Sequence, residues 1–128
     1  MNLKHHTSVT VKVGEADFHS QVLNSRQPVL VAFLAPWSRP CEVLASVLEE
    51  VAVACAEKVK VVQVNADDNP DLSFLYEIQS IPTLLCFVNG NLRSKLVGTA
   101  SKEAIMAKIE ACLPGDSTTP AQDGSNKI

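Results

Sequence analysis

The sequence has few of the features that mark nucleic-acid-binding, membrane or secreted proteins. Its 128 residues include 11 basic and 14 acidic side chains, for a net charge of −3, and the basic ones form no cluster. A protein that binds nucleic acid through its phosphates needs a basic face, so we expect no nucleic-acid partner. No apolar run approaches the ~18 residues of a membrane span, and the opening segment MNLKHHTSVT has no signal-type apolar core. We therefore expect no membrane association and a cytoplasmic location.

Paired cysteines are also missing, because none of the four cysteines forms a C-x-x-C motif. Their spacing relative to His5, His6 and His19 matches no zinc pattern. Without an export signal, and with enough apolar residues for a core, the chain has no need of structural disulfides. We expect no metal site and no cofactor, and we expect most of the thiols to be buried as small hydrophobic side chains. These thiols are Cys41, Cys55, Cys86 and Cys112.

Apolar residues make up 46% of the chain and are arranged in alternating strand and helix patterns. The Asn89-Gly90 dipeptide predicts a two-residue turn between antiparallel strands. The order β-α-β-α-β-α-β-β-α predicts an α/β fold, with a mixed central sheet of about five strands flanked by four helices on both sides. The strands are predicted at 8–13, 29–35, 59–64, 83–88 and 92–97, and the helices at 15–24, 40–58, 70–76 and after Ser101.

One domain accounts for the whole fold, since a chain of this length leaves no room for a second. We assign residues 8–113 to it, expect 1–7 to be flexible, and expect 114–128 to form a disordered tail because that segment has almost nothing to bury. Asn69 is the predicted N-cap of the third helix. In the longest helix, the apolar stripe consists of Val43, Leu44, Val47, Leu48, Val51 and Cys55.

The junction between a buried strand and the longest helix carries the first candidate site, W-S-R-P-C at 37–41. The first turn of a helix has unpaired backbone N–H groups and a partial positive charge, which push a thiol there towards the reactive thiolate. Ser38 lies three residues before Cys41, the spacing of an N-cap whose hydroxyl accepts a hydrogen bond from the Cys41 N–H. Two interpretations stay open: a capped helix whose cysteine only packs inward, and a reactive Cys41.

Two further segments, taken together with residues 37–41, resemble a known family. SIPT at 80–83 places a proline immediately before a strand, where a cis X–Pro bond can occur, and VGT at 97–99 contains a glycine that lets another backbone approach. WSRPC resembles the thioredoxin motif W-C-G-P-C, SIPTLLCFVNG resembles G-I-P-T-L-L-L-F-K-N-G, and LVGTASKEAI resembles K-V-G-A-x-S-K-x-x-L. The resemblance to the thioredoxin family covers Val9 to Leu113 and implies the thioredoxin fold.

The resemblance also implies a site for peptides. A cis Ile81–Pro82 bond would pack against the helix turn that carries Cys41. A shallow groove would form from Trp37, Ile81, Pro82 and Gly98, and an extended substrate peptide would pair with the backbone of Ile81, as in strand addition. Arg39 and Pro40 lie beside this groove on the helix tip, where the Arg39 charge favours acidic peptides.

The sequence departs from the family at the attacking position. Thioredoxin chemistry needs one thiol to attack a substrate disulfide and a second to resolve the mixed disulfide. Ser38 stands where the attacking cysteine belongs, and Cys41 holds the resolving position. The buried aspartate and the lysine that thioredoxins use to handle protons correspond to Ala32 and Gln63. These losses agree with a degenerate site.

We therefore interpret the chain as a thioredoxin-like protein of thiol/disulfide redox homeostasis, impaired as a dithiol reductase and binding protein or peptide clients in its groove, in a chaperone-like way. One alternative is a monothiol redox protein, in which Cys41 forms a mixed disulfide with glutathione or a partner while Ser38 donates a hydrogen bond to the thiolate. Another is a cysteine-to-serine variant of a dithiol protein-disulfide reductase served by a thioredoxin reductase. The sequence leaves open whether the protein is an enzyme.

Overall fold

The computed structural model describes residues 10–113, which contain one five-stranded sheet with helices against it. The expectations for residues 1–7 and 114–128 lie outside the described residues. In chain order the elements are β1 (Val11–Lys12), a π-helix (His19–Leu23), β2 (Val29–Leu34), α1 (Arg39–Ala54), β3 (Lys60–Asn65), α2 (Pro70–Leu75), β4 (Thr83–Val88), β5 (Asn91–Val97) and α3 (Lys102–Cys112).

The sheet is mixed, as predicted, with the strand order β1-β3-β2-β4-β5. β3 pairs in parallel with both β1 and β2, whereas β4 runs antiparallel to both β2 and β5. The predicted hairpin turn is confirmed, since Asn89 and Gly90 have φ values of 53° and 79°. A Cβ atom at Gly90 would lie 2.8 Å from the carbonyl oxygen of Leu23, so glycine is required there for space as well as for conformation.

Two apolar clusters fill the two faces of the sheet. The face covered by α1 and α3 is called here the sulfur face, because it holds the three buried cysteines and the half-buried Cys112. The face covered by the π-helix and α2 is called the aromatic face. The buried residues of the sulfur face are Leu30, Ala32, Leu34, Cys41, Leu44, Leu48, Val51, Ala52, Cys55, Val59, Val61, Leu84, Cys86, Ile105 and Ile109. Those of the aromatic face are Val13, Phe18, Val22, Val29, Val31, Phe33, Val62, Val64, Leu72, Leu85 and Phe87.

The first predicted helix, 15–24, is wrong in length and type. The structure has a π-helix of five residues, His19–Leu23, in which the Asn24 N–H donates to the carbonyl of His19, five residues earlier. Phe18 and Val22 are nevertheless both buried, as their spacing predicts. The predicted first strand, 8–13, is reduced to Val11–Lys12 within the described residues.

The longest helix also differs from its prediction. It ends at Ala54 rather than at Lys58, because the Lys58 and Val59 N–H groups both donate to the carbonyl of Cys55 and close a turn there. Val43 is 54% exposed, so its place in the predicted apolar stripe is wrong. The inward row starts at Cys41 and continues with Leu44 and Leu48, whereas Val43 lies about 200° around the helix from Cys41 at ~100° per residue.

Asn69 precedes α2, but its side chain does not cap the helix as predicted. Its Oδ1 accepts from the Glu15 N–H at 2.9 Å, and its Nδ2 donates to the carbonyl of Asn65, also at 2.9 Å. The amide therefore joins the loop after β1 to the loop after β3. A Cβ atom at Gly14 would lie 2.9 Å from the same Oδ1, so the close contact depends on that glycine.

Candidate functional site at the tip of helix α1

Ser38 forms the N-cap of α1, as its spacing predicts. Its backbone is extended, with φ −93° and ψ 121°, and its Oγ accepts a hydrogen bond from the Cys41 N–H at 3.3 Å. The Ser38 N–H in turn donates to the carbonyl of Ala35 at 3.2 Å. Only 6% of the residue is exposed. The residue at the predicted attacking position is thus buried, and its hydroxyl is engaged in capping the helix.

The one sulfur at this tip points into the protein. Cys41 is 2% exposed and belongs to the cluster on the sulfur face. Its Sγ accepts a hydrogen bond from the Ala35 N–H at 3.4 Å. Between residues 10 and 113, the sulfur accepts from the backbone of Ala35 and receives no hydrogen bond from the Ser38 hydroxyl, which the monothiol hypothesis expects to donate.

Trp37 is exposed and held in place from a neighbouring loop. The indole is 71% exposed, and its Nε1 donates to Asp67 Oδ2 at 2.6 Å. The Asp67 loop is fixed by Asn65, whose Oδ1 accepts from the N–H groups of Asp67 and Asp68 at 2.9 and 3.2 Å. Our sequence interpretation missed Asp67. The available signal was its position after β3, because the carboxyl ends of parallel β2 and β3 meet at one edge of the sheet.

A cavity of about 480 Å³ lies between the Trp37 indole and the segment before β4. Ile81 is half-buried at its wall, and the Ile81–Pro82 peptide bond is cis. Within residues 10–113, the backbone N–H and C=O of Ile81 take no hydrogen-bond partner. The cavity is lined by Trp37, Ala66, Asp67, Ser73, Ile78, Gln79, Ser80 and Ile81.

The other predicted groove residues lie around this cavity without lining it. Pro82 is buried, and its carbonyl accepts from the Gly98 N–H at 2.8 Å. Gly98 needs glycine for its φ of 95°, although the space around it is open and an added Cβ would meet nothing within 4 Å. Arg39 and Pro40 form the first turn of α1, where the missing proline N–H costs no helical hydrogen bond. The Arg39 guanidinium lies 3.9 Å from the Glu42 carboxylate, and both side chains are largely exposed.

A second cavity, of about 540 Å³, reaches Cys41 from the side of β1 and β3. Its other lining residues include Ala35, Glu42, Gln63 and Asp68. The two positions that the resemblance matches to the family's proton-handling pair hold no ionisable side chain. Ala32 is completely buried. The amide of Gln63 donates to Thr10 Oγ1 at 3.0 Å, and that hydroxyl donates to Glu49 Oε2 at 2.8 Å.

Residues 10–113 contain neither a metal-binding cluster nor a membrane-spanning helix. No group of three or more histidine, cysteine, aspartate or glutamate residues there is placed to hold a metal ion. No helix in that part of the chain is long and apolar enough to cross a membrane.

Comparison with known proteins identifies the family. The family model of thioredoxin matches residues 9–111. The chain is 43% identical to a thioredoxin of Griffithsia pacifica over 99 residues, which cover 77% of this chain and 91% of the relative. It is 42% identical to a thioredoxin of Synechocystis over 106 residues (83% and 99%) and 38% identical to one of Mycobacterium tuberculosis over 107 residues (84% and 92%). The chain therefore belongs to the thioredoxin family of redox proteins, and its α/β sheet is the thioredoxin fold.

Proposed function

We propose that this protein binds extended segments of client proteins beside the tip of α1 and is impaired as a dithiol disulfide reductase. One observation carries the proposal. The residue at the attacking position is a buried serine whose hydroxyl accepts the Cys41 N–H at 3.3 Å. Reduction of a substrate disulfide starts with a thiolate that bonds to one substrate sulfur and displaces the other. A serine hydroxyl forms no such mixed disulfide, so the reaction has no first step at this tip.

Cys41 does not replace the missing sulfur. A protein disulfide would have to reach a thiol that is 2% exposed and lies behind the Ser38 cap. In a dithiol mechanism a buried sulfur suits the resolving role, because it attacks a mixed disulfide already formed at the tip. With serine at the tip, no mixed disulfide forms there for Cys41 to resolve.

The groove keeps what peptide binding requires. Trp37 offers a large exposed apolar surface whose position is fixed by the hydrogen bond to Asp67. Ile81 offers a backbone N–H and C=O that no residue of the described part of the chain pairs with, at the wall of the same cavity. An extended peptide can pair with such a backbone and place its side chains against the indole, as in strand addition. The groove therefore needs no sulfur to hold a client.

The charges at the groove argue against the preference for acidic peptides that Arg39 alone suggests. Arg39 is paired with Glu42 at 3.9 Å, and exposed pairs of this kind contribute little. Asp67 adds a carboxylate to the cavity lining itself. We therefore propose clients with neutral, apolar segments.

The test is a fluorescence titration, because Trp37 is the only tryptophan in the sequence. Reduced and carboxymethylated insulin B chain, an unfolded peptide without a disulfide, should change the Trp37 emission in a saturable way. Ile81→Asp should weaken this binding at least tenfold, since it places an unpaired charge at the wall of the groove. Val53→Asp, the same kind of change at an exposed position of α1, is the matched control. No saturable change, or equal weakening by both substitutions, would contradict the proposal.

The cavity of about 540 Å³ supports a second candidate, the monothiol function of Cys41. It gives a small disulfide such as oxidised glutathione a route to the sulfur that a folded protein does not have. Mass analysis after incubation with oxidised glutathione would show one glutathione on Cys41 if this function is present. A chain whose Cys41 remains unmodified in the folded state and is modified once unfolded excludes it.

The proposal also includes the remaining partners and the location. Protein or peptide clients are the primary partners, and a thioredoxin reductase or glutathione would serve only the alternatives with an active thiol. All four cysteines are free in the structure, which suits the reducing conditions of the cytoplasm. Subcellular fractionation of the tagged chain tests that location directly.

A further inference from the structure

Cys86 and Cys112 lie together on the sulfur face, and neither lines the cavities beside the tip of α1. Cys86 is in β4 and is paired across the ladder with Ser94 of β5. Cys112, the last residue of α3, donates a hydrogen bond from its thiol to Ser94 Oγ at 3.1 Å. One serine therefore adjoins both thiols, although the two cysteines are far apart in the sequence.

The electrostatics of Cys86 agree with this placement, because Cys112 is one of the groups that act on its thiol. Burial raises the pKa of the Cys86 thiol to about 12, and the neighbouring Cys112 acts in the same direction through its charge and a side-chain hydrogen bond. Arg93 acts in the opposite direction. The two thiols differ in access, because Cys86 is 1% exposed whereas Cys112 is only half-buried. An outer and an inner thiol beside the same serine suit the roles of an attacking and a resolving cysteine.

We propose that Cys86 and Cys112 form a second dithiol–disulfide couple, oxidised by low-molecular-weight disulfides. In the first step the Cys112 thiolate attacks one sulfur of the small disulfide, forms a mixed disulfide and releases one small thiolate. In the second step the Cys86 thiolate attacks the Cys112 sulfur and displaces the other small thiolate. The protein loses two electrons and two protons, and the small disulfide becomes two thiols.

This couple goes beyond the proposed function and does not depend on it. The chemistry needs neither Ser38 nor Cys41, and the bond would tie the end of α3 to β4 without passing through the groove. The protein could then switch between a dithiol and a disulfide form through Cys86 and Cys112, although the tip of α1 has only one sulfur.

The experiment is a peptide map of the full chain. Reduced protein is incubated with oxidised glutathione, unfolded in iodoacetamide and digested with trypsin. The expected product is peptide 61–93, which contains Cys86, linked to peptide 109–127, which contains Cys112, with a mass two hydrogen atoms below the sum of the two. Dithiothreitol should separate them. Cys55, buried on the same face, should stay a free thiol during the incubation and be alkylated after unfolding, so it serves as the internal control.

Variants assign the roles of the two thiols. Cys112→Ser should abolish the linkage and leave Cys86 alkylated, whereas Cys55→Ser should leave the linkage unchanged. The proposal is overturned if Cys86 and Cys112 are both alkylated as free thiols, if glutathione stays on Cys112 while Cys86 is free, or if either cysteine is linked to Cys41 instead. The map of the unsubstituted chain decides among these outcomes even if a variant fails to fold.

Discussion

The two faces of the sheet are built from different side chains and serve different purposes. On the aromatic face, the rings of Phe18, Tyr76 and Phe87 contact each other with centroids 5.4–5.9 Å apart. The sulfur face has no buried aromatic side chain among the described residues and holds the cysteines among aliphatic ones. Ser38 caps α1 on this face, and helices α1 and α3 carry Cys41 and Cys112. The aromatic face therefore has no thiol, whereas the sulfur face combines packing with every thiol of the protein.

Under the proposed function, the sulfur face has lost its attacking thiol and kept its packing. The serine that replaces it performs a structural task, since Ser38 caps α1 through the Cys41 N–H. The proposed groove wall consists of Trp37, which is hydrogen-bonded to Asp67, and of Ile81, which lies just before β4. The proposal therefore treats reduction and client binding as separable on this scaffold.

The largest expected effect comes from the aromatic face. Phe87→Ala should lower the free energy of unfolding by about 3–5 kcal/mol, because it removes a buried ring and leaves a cavity. Its neighbour in β4, Cys86, points to the other face, and Cys86→Ala should cost only about 1 kcal/mol. Urea denaturation measures both. Equal losses would mean that the two faces contribute alike to stability.

Ser38→Cys should have the next largest effect and should act on the sulfur face alone. It supplies the missing attacking thiol at the helix N-terminus, so insulin reduction by dithiothreitol should rise about 10²-fold or more. Ser38→Ala, which supplies no thiol, is the matched control and should stay at background. If Ser38→Cys also stays at background, further parts of the scaffold have lost the reaction, with Ala32 and Gln63 the first to examine.

The next largest effect is on the pH dependence of the free energy of unfolding, which Cys86 of the sulfur face should alter. The raised pKa of Cys86, about 12 in the fold, exceeds that of an unfolded cysteine, ~8.5, so the fold favours the protonated thiol. Its contribution is therefore complete below about pH 8.5 and is lost as pH rises towards 12. Between pH 8 and 10.5 the unsubstituted chain should lose about 2–3 kcal/mol more than Cys86→Ala. Parallel losses in the two proteins would show that Cys86 ionises normally.

The smallest expected effect concerns the two serine caps of the sulfur face. Ser38→Ala should destabilise the protein by about 1–2 kcal/mol, because it leaves the buried Cys41 N–H without a partner. Ser101→Ala removes the matching bond to Ala104 at the exposed start of α3 and should cost about 0.5–1 kcal/mol. Thermal unfolding of both variants measures the difference. If Ser101→Ala lowers the stability more than Ser38→Ala does, the buried Ser38 cap is not the stronger of the two.

Local patterns were sufficient to predict most of the fold. The Asn89-Gly90 turn, the Ser38 cap and the order of the elements each depend on residues close in sequence, and the structure has all three. The π-helix was not predictable, because its spacing of buried residues is the same as that of an α-helix. Whether Val43 is exposed depends on which residues of α1 face the sheet. The sequence of valines and leucines alone does not fix that choice.

The missed parts of the site are long-range contacts. Trp37 is held by Asp67 from a different loop, and Cys86 meets Cys112 only because α3 packs back on β4. No spacing along the chain predicts either contact. The residue at the attacking position was readable from the sequence because it lies within a short motif, whereas its burial and its hydrogen bonds required the structure.

The most direct test follows the unsubstituted chain through repeated cycles with NADPH, a thioredoxin reductase and insulin. The central claim predicts no sustained reduction of insulin, at most one equivalent of NADPH consumed for each oxidised protein molecule, and saturable change of the Trp37 emission by the same chain with an unfolded peptide. Many turnovers of insulin per protein molecule, sustained by the serine-containing chain itself, would contradict it.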